Sequence, residues 1–79
     1  MNWRGRISSD PDILAGKPAV KGTRISVELV LGRLAQGWTH EMVLQSCSHL
    51  TNDDILACLA FAAEMMRDEQ YVAADKATA

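Results

Sequence analysis

Twelve consecutive residues, Ile55 to Met66, read ILACLAFAAEMM and hold one charged side chain, Glu64. They follow Thr51-Asn52-Asp53-Asp54, a T-x-x-D start close to a capping box, with two carboxylates favourably placed against the helix dipole. The spacing predicts a long helix in which Ile55, Cys58, Leu59, Ala62 and Met66 fill one face and Leu56, Ala60 and Ala63 an adjacent one. A surface helix needs a single apolar stripe, so this one must be covered on more than one side. A chain of 79 residues buries only about 60% of the surface its unfolded form exposes. The cover therefore comes either from the other helices or from a second protein, since small domains often complete their core by oligomerising. Alanines at 57, 60, 62 and 63 let a neighbouring helix approach closely, with Phe61 a large knob among them. Beyond Met66 the strong face is lost, and the tail 71–79 is expected to fray unless something docks on it.

Two shorter helices are expected upstream. Val27, Val30, Leu31, Leu34, Ala35 and Trp38 recur at helical spacing, with Ser26 able to cap the helix and Gly37 to end it. Thr39 offers a second cap, Glu41 sits in the following first turn, and Val43, Leu44 and Cys47 form one apolar face that ends near Ser48. With only four aromatics among the 79 residues, the core must be built from Leu, Val, Ile, Met and Ala, a helical palette.

Ahead of the first helix lies GKPAVKGTRIS, residues 16–26. Its glycines and lysines suggest a phosphate loop, but a Walker loop needs G-x-x-x-x-G-K-[ST], and here Lys17 is followed by Pro18. A mechanical reading fits better. Lys17, preceding proline, is pushed to extended backbone; Ala19-Val20 continue it; Lys21-Gly22 turn the chain into Thr23-Arg24-Ile25 and so into the cap at Ser26. Further upstream, Ile7 marks a short strand that breaks at Asp10-Pro11-Asp12, where Asp can bond the backbone two residues on. The expected architecture is mainly α in one domain over residues 1–79. A short β element with turns (7–25) precedes a three-helix bundle (26–70) with a long last helix.

Charge is distributed unevenly. Residues 1–37 carry six Lys/Arg against three Asp/Glu, a net +3, and residues 38–79 carry two against seven, a net −5. Nucleic acid, if bound, should meet the front half, because acidic surface repels phosphates. The first residues lack an apolar run long enough for a signal segment, and no stretch approaches the roughly 20 apolar residues of a membrane span. A cytosolic protein is expected, so Cys47 and Cys58 read as small core residues rather than a disulfide. Cys47 and His49 are spaced too closely for a structural zinc pair, and with His40 and Cys58 they are better explained without metal. No nucleophile has a plausible base beside it. Neither an enzyme nor a cofactor is expected.

Three helices joined by short turns form either a helix-turn-helix unit, with Ser48-His49-Leu50-Thr51 as the turn and the third helix in the recognition position, or a plain three-helix packing. Asp53 and Asp54 favour the second reading, while Thr51 and Asn52 retain the chemistry to read a base edge. The pattern I-x-x-D-P-x-I-L-A-G-K-P-A-V-K-G-T-R-I-S-V, then L-A-Q-G-W-T, then L-T-x-x-D-I, resembles the short bacterial and archaeal proteins grouped as domain of unknown function 433, regarded as VapB-like antitoxins. The likeness runs from about Ile7 to Met66, and Gly16 to Val27 is its most specific part.

The resemblance implies a homeodomain-like bundle, usually dimeric, often encoded beside a PIN-like ribonuclease that it neutralises. It departs at Ala15-Gly16, where family members tend to have Gly-Gly, and at Cys47-Ser48, where they have Tyr-Pro. The expected function is an antitoxin that binds such a toxin and its own promoter DNA. A stand-alone DNA-binding regulator and a structural dimerisation module are the alternatives. Candidate DNA contacts are Lys17, Lys21, Arg24, Arg33, Thr51 and Asn52; candidate partner or dimer contacts are Leu29, Ala57, Phe61, Met65, Met66 and Tyr71.

Overall fold

The computed structural model describes residues 1–68. The chain is mainly helical, with a two-stranded antiparallel ladder of β1 (Ile7–Ser8) and β2 (Ala19–Val20) ahead of α1 (Val27–Ala35), α2 (His40–Ser46) and α3 (Asn52–Asp68). Ile7 pairs with Val20 and Ser8 with Ala19. Single 3-10 turns lie at Trp3–Gly5 and Leu14–Gly16. The frayed-tail expectation for 71–79, the end of the bundle at 70 and the candidate Tyr71 fall outside the described residues.

The connector folds as its residues dictate. Lys17 is extended (φ −66°, ψ 145°) ahead of Pro18, and Gly22 turns the chain at φ +80°. The Thr23 hydroxyl both donates to the Val20 carbonyl at 2.8 Å and accepts from the Ile25 amide at 3.0 Å, pinning that turn shut. The Val27 amide donates to the Pro18 carbonyl at 2.9 Å, and Ser26 Oγ accepts from the Leu29 amide at 2.9 Å, so the β element runs straight into the N-cap of α1. At the earlier break, Asp10 Oδ1 accepts from the Asp12 amide at 2.9 Å, the two-residue bond expected there.

Helix ends follow the sequence signals closely. At the end of α1 the Trp38 amide reaches the Arg33 carbonyl and the Gly37 amide reaches Leu34, with Gly37 at φ +95°, a Schellman closure. Thr39 Oγ1 caps α2 through the Met42 amide at 3.1 Å. α2 stops at Ser46, two residues short of the expected end, with Cys47 out of the helical region at φ −121°, ψ 83°. α3 begins in a reciprocal capping box. The Thr51 amide donates to Asp54 Oδ2 at 2.9 Å, and the Asp54 amide donates to Thr51 Oγ1 at 3.3 Å.

The core draws on every layer. Ile7 and Val20 come from the ladder, Val27 and Val30 from α1, Val43 from α2, Leu50 from the turn, and Ile55, Ala57 and Cys58 from α3. The residues before β1 were read for their charge and for a signal segment, not for packing, yet they dock on α3. Trp3 meets Phe61 edge-to-face with ring centroids 4.8 Å apart, and Arg4 Nη2 donates to Glu64 Oε2 at 2.7 Å.

Candidate functional site

An open apolar groove of about 650 Å³ runs between α1 and α3. One wall is the α1 stripe Val27, Leu31 and Ala35, with Gly32 beside it; the other is Phe61, Ala62, Met65 and Met66 of α3. Both walls are residues at three- and four-residue helical spacing, brought face to face because the two helices share Val30 and Cys58 in the core beneath. Lys17 and Pro18 close one end, where Lys17 Nζ meets Glu28 Oε1 at 3.2 Å. Both partners of that pair are largely exposed, so it contributes little and opens readily.

Among the expected partner contacts, Phe61, Met65 and Met66 line this groove. Leu29, exposed on α1, lies instead beside a smaller depression with Gly32, Arg33 and Gln36. Ala57 is a correction. It is 0% exposed in the chain's own core and therefore offers no surface to a partner. Its methyl lies on the side of α3 turned to the core with Asp54 and Cys58, where the periodicity of an all-round apolar helix does not separate inner from outer positions.

The cations are not equivalent. Arg33 stacks its guanidinium over the Trp38 ring at 5.0 Å. Lys21 and Arg24 flank the Gly22 turn and, among the described residues, have no ion pair. Thr51 and Asn52 are already engaged at the start of α3, Thr51 in the capping box and Asn52 Oδ1 with His40 Nδ1 at 2.8 Å. Between Leu56 and Met66 the solvent side of α3 carries Leu56, Leu59 and Met66 rather than hydrogen-bond donors.

One cluster escaped the sequence reading altogether. Arg6 Nη1 donates to Asp54 Oδ1 at 3.1 Å while its Nη2 lies 3.5 Å from Asp53 Oδ2, so one of the two negative charges at the start of α3 is balanced from within. The signal was present as two arginines in a short N-terminal segment and two aspartates at a helix start. Nothing local says that residues 48 apart meet. Burial, helped by the neighbouring Asp54 charge, pushes the Cys58 thiol up from 9.0 to about 11, which leaves it an inert thiol at neutral pH. Among the described residues no three His, Cys, Asp or Glu side chains come together as a metal would require, and no helix is long and apolar enough to cross a membrane.

The family model described as Protein of unknown function (DUF433) matches residues 7–62. Over 70 residues the chain is 36% identical to the uncharacterized protein y4eO of Sinorhizobium fredii, an alignment covering 87% of this chain and 32% of that protein. The chain thus spans about a third of the length of that curated relative. No solved structure matches it.

Proposed function

The chain belongs to the DUF433 family, and from that premise we propose that it is an antitoxin-like module of a toxin-antitoxin pair, a non-catalytic protein that binds and neutralises a PIN-like ribonuclease. The observation that carries the reading is the groove between α1 and α3, an apolar surface left open in a small chain and walled by Leu31, Ala35, Phe61 and Met65. A partner helix with aliphatic anchors at three- and four-residue spacing is the shape such a groove accepts. Co-expression with a neighbouring PIN-like ribonuclease tests it. The expected result is co-purification and relief of toxicity, both lost with Ala35→Glu, an exposed position where the carboxylate enters the groove without disturbing the core. Unrelieved toxicity with no co-purification would overturn the reading.

A second reading, contact with promoter DNA, rests on Lys21 and Arg24 at the Gly22 turn, which have no ion pair among the described residues. It places phosphates on the connector rather than base edges on α3. Binding to upstream DNA should weaken with salt, and Lys21→Glu or Arg24→Glu should each lower the salt slope by about 1. Binding indifferent to both charges would exclude this face.

A further inference from the structure

The side of α3 turned away from the core carries Leu56, Leu59, Ala63 and Met66, all exposed, with Leu56 at 37%, Leu59 at 39% and Met66 at 51%. Their spacing is three, four, three, the alternation of an a/d seam in a helical pair. None of the four has a role in the core, and only Met66 touches the groove described above. A solvated helix face would carry polar side chains at these positions.

Two properties of the stripe identify what covers it. The three-four-three spacing reads the same in both directions, so an antiparallel copy meets it layer for layer. The stripe is also flanked by opposite charges, Asp53 at its N-terminal end and Arg67 at its C-terminal end, both exposed. In a parallel pair these would stand like against like. In an antiparallel pair each Asp53 approaches the partner's Arg67, and the two helix dipoles oppose. Asp53 is free to do so because its 3.5 Å contact with Arg6 is a solvent-exposed one.

We propose that this face of α3 pairs antiparallel with the same face of a second copy of this chain, in the register that sets Leu56 against the partner's Met66 and Leu59 against the partner's Ala63. Alanine in two of the four layers brings the helices close, leaving each Leu59 to fill the space over a methyl. The surface is distinct from the groove, so a dimer formed through it still presents two grooves.

Sedimentation equilibrium of the chain at tens of micromolar should find a dimer. Leu59→Glu, which changes an exposed position and so spares the fold, should raise the dimer dissociation constant about 100-fold or more, with unchanged circular dichroism. Register is tested by oxidative cross-linking in a Cys47→Ser background. Chains carrying Leu59→Cys and chains carrying Ala63→Cys should form a mixed disulfide when combined. A monomeric wild-type chain, a dimer indifferent to Leu59→Glu, or cross-links confined to like positions would each overturn the proposal.

Discussion

Ala15 sits at φ +55° between Leu14 at +53° and Gly16 at +85°, three successive residues in the left-handed region. Only the glycine is at ease there, and a residue with a Cβ is disfavoured by roughly 1 kcal/mol or more. Position 15 is where the resemblance noted above has glycine, so the departure from that pattern falls on a backbone that prefers it. Ala15→Gly should raise stability by about 1 kcal/mol, read as a higher urea midpoint at unchanged slope. Cys58 makes a second residue-scale case. Its thiol titrates at 9.0 when free and about 11 when folded. A group raised on folding keeps its full contribution below the lower value and loses it as pH climbs through the upper one, because the unfolded thiol ionises first. The stability advantage of the wild type over Cys58→Ala should hold at pH 8 and shrink steadily between about pH 9 and pH 11. A gap that stays constant across that range would contradict the burial of an un-ionised thiol.

Helix starts and stops were legible in the sequence because each is a local exchange. Ser26, Thr39 and Thr51 all cap within three residues, and Gly37 closes α1. The end of α2 was less legible. Without a proline at position 48 the chain still leaves the helix after Ser46, with Cys47 at φ −121°, ψ 83°, outside the helical region. Gly32 is the element-scale anomaly. It lies inside α1 with no positive φ and nothing within 4 Å of where a Cβ would stand, so neither strain nor crowding calls for glycine. Alanine in a helix interior is favoured by about 1 kcal/mol. Gly32→Ala should therefore raise the melting temperature while adding a methyl to the groove wall, and under the antitoxin reading it should weaken toxin binding. The two effects in opposite directions, measured on the same purified protein, would separate a surface kept bare for a partner from a neutral substitution.

At the scale of the whole molecule, the charge split was visible in the sequence but its use was not. The basic front was read as surface for nucleic acid, yet Arg4 and Arg6 fold onto Glu64, Asp53 and Asp54 of the acidic helix. Composition reports that opposite charges exist at opposite ends of a chain, not whether they meet. The same holds for the candidate site: Phe61, Met65 and Met66 of α3 were named as candidate partner contacts, whereas the opposing wall of α1 needed the packing of the two helices. Trp3 shows how much the N-terminal segment matters to the assembled molecule, since it packs edge-to-face on Phe61 and its indole N–H reaches Glu64 at 3.4 Å. Trp3→Ala should cost about 1–3 kcal/mol, read from urea unfolding, and should raise the fluorescence of a hydrophobic dye by uncovering Phe61.

That same contact has a consequence for the order in which the protein is made. Trp3 leaves the ribosome ahead of its partner Glu64, which lies 61 residues later. At about 5–20 residues per second, synthesis leaves the indole waiting roughly 3–12 s for the helix it must pack on. The strand ladder and α1 can close during that interval, whereas the N-terminal segment docks only once α3 exists. Its docking is therefore a late step of biogenesis, and a nascent chain stalled before Phe61 is translated leaves Trp3 without its ring partner.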